Sequence, residues 1–404
     1  MSDARVLNTP GTDTSGTGTP GTDTSGPGAP GPAAHTPDPV PDLLAECREA
    51  VLPALRRAVD RLHPRLALIS SYHFGWCGPD GRPARDPGGK MLRATLVTLT
   101  ARAFGAGPAE AVPGAVAAEL VHNFSLLHDD LMDADELRRG RPSAWVVFGA
   151  GPAVLAGDAL LNEALRTTAE VPGAAAPAAT RALAAAVETI IRGQAADLEL
   201  DGRDVARTGP DDYLAACAKT SGLLSGCAEV AAALAGAPAP AVSALRSAAW
   251  DLGIAWQMAD DLENLWGDTT GGKHAYGDLR RGKRTYPVIV ALRSGTRAGS
   301  RLAARLGSAA VPGEGELAKL ADLVAEAGGR AGAERDARHH LGRALRALEG
   351  AGGDPAAMDD LTALFRHVLG RHERWLSAGG ASPGAAPPAG PTEPAAPAEK
   401  GPAR

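Results

Sequence analysis

Apolar residues recur at helical spacing through the middle of the chain, interrupted by Pro and Gly. The pattern predicts helices over residues 42–62, 90–104, 114–136, 152–170, 178–200, 211–235, 240–265, 287–294, 315–327, 332–349 and 355–376. Pro108, Pro113, Gly149-Ala150-Gly151-Pro152, Pro172-Gly173 and Gly271-Gly272 fall between these segments and read as breakers. Convincing strand and hairpin signals are few. The expected fold class is all-α, a multi-helix bundle in a single domain.

The two ends lack this pattern. Residues 9–18, TPGTDTSGTG, return almost unchanged as residues 19–28, TPGTDTSGPG, and Pro and Gly remain dense to about Pro41. The stretch after Ser377 is rich in Ala, Pro and Gly. Such segments bury too little apolar surface to offset chain entropy. The expected division is a disordered extension over 1–40, an all-α domain over 41–376 and a disordered tail over 377–404.

The formal net charge of -6 over 404 residues argues against a nucleic-acid partner, whose phosphates require a basic face. Cys47, Cys77, Cys217 and Cys227 form no CxxC pair and no zinc spacing, so buried reduced thiols are expected. No uncharged apolar run reaches the length of a transmembrane helix, and no signal-peptide core precedes the domain. A cytoplasmic location is the expectation. The Ala-rich run Leu223 to Val242 comes nearest to a span, but Glu229 and Pro238/Pro240 mark a buried helix and its end.

The charged residues gather instead into constellations. Asp129-Asp130-Leu131-Met132-Asp133 is followed by Arg138-Arg139-Gly140, and Asp260-Asp261-Leu262-Glu263-Asn264 is preceded by Gln257 and followed by Lys273. On helices, Asp129 and Asp133 share a face one turn apart, as do Gln257, Asp260, Asp261 and Asn264. Like charges so spaced repel by about 0.2–0.5 kcal/mol per pair in an isolated helix, so a functional role needs a cation. Carboxylate oxygens with Arg and Lys nearby suit Mg²⁺ holding a diphosphate. His122 lies two turns before Asp129 on nearly the same face. Gly88-Gly89-Lys90-Met91-Leu92-Arg93 is expected to open a helix with two cations on one face, a second anion seat. Gly193-Gln194-Ala195-Ala196-Asp197, Lys219-Thr220 and Gly282-Lys283-Arg284-Thr285 add further polar groups.

Taken together, these motifs resemble those of the trans-isoprenyl diphosphate synthases, the family of farnesyl and geranylgeranyl diphosphate synthases. The resemblance is strong from about Lys90 to Pro287. It implies an all-α isoprenoid synthase bundle around a deep central cavity, usually a homodimer, that condenses isopentenyl diphosphate with an allylic diphosphate. By that resemblance Asp129, Asp133 and Asp260 bind Mg²⁺, and Asp130 and Asp261 complete the acidic walls. Lys90, Arg93, His122 and Arg139 match residues that bind isopentenyl diphosphate. Arg138, Lys219 and Lys273 match those that hold the allylic diphosphate, and Thr220 and Gln257 face the developing carbocation.

Some positions depart from the family pattern. Asn264 stands where a third Asp is usual, which is expected to weaken metal binding, and Ala94 replaces a frequent proline after Arg93. Phe124 and Ser125, five and four residues before Asp129, match a chain-length pair that implies a geranylgeranyl product. Two rivals are a weakly active regulatory subunit, motivated by Asn264, and a terpene cyclase, opposed by the cations of a second diphosphate site. The N-terminal repeat resembles the extensions of some prenyl synthases carried as cargo in encapsulin shells, which implies a docking segment.

Overall fold

A computed structural model describes residues 38–84, 89–204, 207–267, 276–307, 312–370 and 372. The tandem repeat, Lys273 and the C-terminal tail lie outside them. Fifteen helices and one short hairpin make up the described secondary structure: α1 (Val40–Asp60), α2 (Pro64–His73), α3 (Leu92–Ala103), α4 (Pro108–Met132), β1 (Leu137–Arg138), β2 (Arg141–Pro142), α5 (Ala144–Phe148), α6 (Ala150–Ala169), α7 (Ala175–Gly202) and α8 (Pro210–Leu234). They continue as α9 (Ala239–Trp266), α10 (Gly277–Arg281), α11 (Tyr286–Leu292), α12 (Arg297–Leu306), α13 (Glu314–Glu326), α14 (Gly329–Glu349) and α15 (Pro355–Gly370). The fold is all-α, as the periodicity predicts.

Helix α8 runs through the interior, packed against α3, α4, α7 and α9. Its buried residues include Tyr213, Cys217, Leu224, Cys227 and Ala231, so apolar groups cover most of its circumference. All four cysteines are free and buried. None of the helices among the described residues is long and apolar enough to cross a membrane. Two helix starts follow local chemistry: Pro108 and Pro210 occupy first-turn positions where no N–H is needed, and the Glu110 and Asp212 carboxylates accept from the Gly107 and Gly209 amides.

Pro113 is no breaker, because α4 begins at Pro108 and carries Pro113 inside it. The missing donor costs one hydrogen bond at the helix start, and burial of Ala111, Gly114, Ala115 and Val116 outweighs it. Met91 has φ 52° and ends the backbone turn before α3, so Lys90 precedes the helix and does not share a face with Arg93 as expected. Ala94, which departs from the pattern of the resembled family, donates its N–H to buried Glu119 at 3.3 Å. A proline there has no such donor. The hairpin was also not foreseen: Arg139 and Gly140 have φ 54° and 74°, and both signs are what a two-residue type I′ turn demands.

Candidate active site

The first acidic cluster closes α4 and the second lies near the end of α9, with the glycine-lined contact of α7, α8 and α9 beside them. A Cβ on Gly193 would stand 2.2 Å from the backbone nitrogen of Lys219, and one on Gly253 would stand 2.6 Å from the Ser221 Cα. Glycine at these two positions lets α7 and α9 approach α8 from either side. As a result the Lys219 ammonium donates to Asp197 at 2.6 Å and to Gln194 at 3.1 Å. On the other side the Thr220 hydroxyl donates to Gln257 Oε1 at 3.2 Å, and Gln257 Nε2 donates to Asp261 at 3.4 Å.

Two cavities meet at Lys219. One, of about 370 Å³, is mostly apolar, with Phe124, Leu126, Met132, Ile190 and Leu223 in its wall and Asp129, His122 and Arg93 at its polar edge. The other, of about 120 Å³, is polar and is lined by Asp197, Gln257, Asp261, Asp278, Lys283 and Arg284 among others. Lys219 belongs to both linings. Phe124 meets His128 edge to face with centroids 4.9 Å apart. His128 is wedged against α6, where Gly157 leaves it room and Val154 O lies 3.0 Å from its Nε2.

The carboxylates are held in different ways. Burial raises the Asp129 pKa, with Asp133 and Asp197 adding to the rise and Lys219 opposing it. Asp130 is buried and ion-paired to Arg138, whose Nε lies 2.8 Å from Oδ1. Its other oxygen has no hydrogen-bond partner among the described residues. Asp133 accepts from Lys283 at 3.2 Å, and Arg281 joins Asp135 at 2.7 Å, so the end of α10 and the residues after it are latched to the turn that follows α4. Asp260 lies 3.1 Å from His372 Nε2. Asp261 is buried, accepting from the Tyr213 hydroxyl at 2.7 Å and the Tyr286 N–H at 2.9 Å. Its pKa is pushed up to about 7 by burial and by Asp278, against the pull of those hydrogen bonds.

Among the described residues no three His, Cys, Asp or Glu side chains stand ready-gathered around one metal position. The donor set nevertheless fits a hard divalent cation: the candidates are all carboxylates, Asp129 sits among like charges, and one Asp130 oxygen is buried with no hydrogen-bond partner among the described residues. A cation would relieve this repulsion.

The other predicted residues are spread over several elements. Arg93 and His122 touch, with Nη1 and Nε2 3.1 Å apart, and Arg93 lies over the Trp256 ring. Lys90 is exposed, ahead of α3. Arg138 and Arg139 ride on the hairpin. Ser125 donates to the His122 carbonyl at 2.8 Å. Asn264 Oδ1 accepts the Asp278 N–H at 3.1 Å and so ties α10 to α9. Tyr213 and His372 were not singled out in advance: a tyrosine in a buried helix and a lone histidine near a chain end carry no local signal, and only long-range packing brings them to Asp261 and Asp260.

The polyprenyl synthetase family model matches residues 83–324. A (2E,6E)-farnesyl diphosphate synthase from Mycobacterium bovis is 41% identical over 335 residues, covering 81% of this chain and 92% of that protein. A geranylgeranyl diphosphate synthase from Mycobacterium tuberculosis is 42% identical over 183 residues, covering 45% of this chain and 52% of that one. Among solved structures, a polyprenyl synthetase from Streptomyces coelicolor A3(2) superposes with a TM-score of 0.78 at 41% identity, covering 81% of this chain and 99% of that one. With its helices, its paired acidic clusters and these matches in agreement, the chain belongs to the polyprenyl synthetase family, the trans-isoprenyl diphosphate synthases.

Proposed function

We propose that this prenyl diphosphate synthase performs an Mg²⁺-dependent head-to-tail condensation of isopentenyl diphosphate with allylic diphosphates, with geranylgeranyl diphosphate as main product. The observation that carries it is the junction at Lys219 of an apolar cavity and a polar, cation-bearing pocket. A prenyl tail fits the first and its diphosphate the second. Asp129, Asp133 and Asp260 would hold Mg²⁺, which supplies Lewis-acid neutralisation of the diphosphate when bound.

The chain's own residues do the rest. Lys219, Arg138 and Lys273 bind the allylic diphosphate, and Lys283 lines the polar pocket together with Lys219. As the allylic C–O bond breaks, positive charge grows on the carbon and negative charge on the leaving diphosphate. The Thr220 and Gln257 oxygens stabilise the first, and the cationic side chains the second. Lys90, Arg93, His122 and Arg139 hold isopentenyl diphosphate with its alkene toward the cation. The new carbon–carbon bond forms from the alkene electrons, and the released diphosphate accepts the proton lost from the condensation product.

Phe124 and Ser125 support the twenty-carbon assignment, because Phe124 lies in the apolar wall and its ring is backed by His128. Phe124→Ala is expected to shift the product toward longer chains, read by chromatography; an unchanged product length would remove Phe124 from this role. The farnesyl-named relative matches most of the chain and favours a second reading, a fifteen-carbon product. Purified protein incubated with Mg²⁺, isopentenyl diphosphate and dimethylallyl, geranyl or farnesyl diphosphate decides between them by mass spectrometry. No product from any primer would support the regulatory-subunit alternative.

A homodimer is the proposed assembly. Leu155 on α6 and Ile191 and Leu198 on α7 are 55%, 54% and 45% exposed, large apolar groups that a second copy would cover. A monomer in sedimentation equilibrium at micromolar protein would reject it. The N-terminal extension is proposed to dock the enzyme to an encapsulin shell inside which it is carried. Deletion of residues 1–40 is expected to abolish co-purification with the shell, and retention would end the idea.

A further inference from the structure

A third cavity, of about 130 Å³, lies between the end of α2 and the arginine hairpin, lined by Tyr72, His73, Arg138, Arg139, Arg141 and Ser143 among others. Three guanidinium groups converge on it. Arg138 is neutralised by Asp130, and Arg141 is held by the Cys77 carbonyl at 2.8 Å and by the Tyr72 ring, 4.3 Å from its centroid. Arg139 has no ion-pair partner among the described residues, and its backbone is held at φ 54°, a conformation that favours glycine. The floor is built. The Tyr72 hydroxyl donates to the Pro142 carbonyl at 2.7 Å, which fastens α2 to the hairpin.

His73 faces this cavity with only 7% of its surface exposed, and its Nε2 is buried with no hydrogen-bond partner among the described residues. A buried polar atom left unpaired keeps its desolvation cost without compensation, so its persistence beside three arginines calls for a ligand. The arginines make that ligand an anion. His73 also belongs electrostatically to the Arg93, His122 and Arg139 group, since His122 feels the charge of Arg93 and Arg139 and lies close enough to be coupled to His73. Burial first, then Arg139 and Arg138, depress the His73 pKa to about 3, so the ring is neutral and one of its nitrogens carries a proton to donate.

We propose that His73 binds the diphosphate of isopentenyl diphosphate in the cavity between α2 and the hairpin, donating from Nε2 alongside Arg139. This rests on the condensation reaction proposed above. It adds a specificity-determining contact from α2, an element outside the family's acidic and basic motifs.

Steady-state kinetics with each substrate varied in turn tests it. His73→Leu is expected to raise the KM for isopentenyl diphosphate about tenfold, the worth of one hydrogen bond to a charged group, while the allylic KM stays within about twofold. His73→Gln keeps an N–H donor and is expected to restore most of the loss. Equal changes in both KM values, or none in either, would overturn the proposal. The wild-type protein supplies an independent readout. Saturation with isopentenyl diphosphate, or with inorganic diphosphate as a probe lacking the prenyl group, is expected to raise the His73 pKa followed by NMR, because bound negative charge opposes Arg138 and Arg139. An unshifted His73 resonance in both arms would also overturn it. Wild-type protein that binds isopentenyl diphosphate with this shift yet makes no product would sink the synthase function and leave the His73 site standing.

Discussion

Asp129→Asn is expected to lower the condensation rate by about two to three orders of magnitude while leaving the protein as stable as before or more so. The Asp129 side chain sits at the polar edge of the apolar cavity, one helical turn from Asp133 and under the field of Lys219. Asparagine matches its size but lacks the formal charge that a divalent cation and its diphosphate require. Stability moves the other way for a definite reason. Burial raises the carboxyl's folded pKa above its unfolded value, so the folded state binds the proton more tightly and stability is lost as pH rises from the unfolded toward the folded pKa. Above the folded pKa the wild type carries that penalty in full, and the neutral amide does not. Rate measurements and thermal melts on the same preparation check both halves; a variant retaining more than a tenth of wild-type turnover would remove Asp129 from the metal and diphosphate site.

Lys219→Ala is expected to have effects of the same sign on rate and on stability. The lysine is the cation shared by the apolar cavity and the polar pocket, and it is bonded to Asp197 and Gln194. Removing it takes a positive charge from the proposed allylic diphosphate seat, with an expected loss of about a hundredfold or more in kcat/KM for the allylic substrate. The KM for isopentenyl diphosphate is expected to move little. Truncation also leaves Asp197 and Asp129 without their counter-charge, at a cost of about 1–3 kcal/mol. Burial lowers the Lys219 pKa, but Asp129 and Asp197 together outweigh it and the net shift is upward. A raised lysine pKa contributes stability that is complete below the unfolded value and is lost as pH rises through the folded one. The wild-type advantage therefore persists at neutral pH and fades only in strongly alkaline solution. Urea melts at neutral pH that show no difference between the two proteins would refute the stabilising role of the pair.

These two changes lie in contact through one network, so their effects on stability are not expected to add. Asp129→Asn removes a repulsion with Asp197 that Lys219 otherwise balances. The double variant is expected to be less destabilised than Lys219→Ala alone.

Much of the helical framework was legible because burial imposes a periodic apolar pattern on long helices. The predicted segments 211–235 and 240–265 correspond closely to α8 and α9. Shorter helices escaped because their signals are capping residues and not long apolar stripes. Helix α12 offers only Ala298, Gly299 and Leu302 to the core, and its start is marked by Thr296, whose hydroxyl accepts the Gly299 N–H at 3.0 Å. Helix α2 begins at Pro64 with His63 as its cap.

By itself the sequence determined the helical class, the two aspartate clusters and the cations that accompany them, since residue type and spacing along one helix are local properties. Only the tertiary structure decided how those groups are shared out. It separates Lys90 from Arg93 through the left-handed Met91, turns Asp130 toward Arg138 and Asp261 toward the buried Tyr213, and uses Asn264 to secure α10. It also brings His73 under the hairpin and Lys219 against Asp197, contacts that depend on helices remote in sequence approaching closely enough, where Gly193 and Gly253 permit it, to place polar atoms within hydrogen-bond reach. Periodicity says which face of a helix is buried; which partner it meets there is set by the packing of all the others.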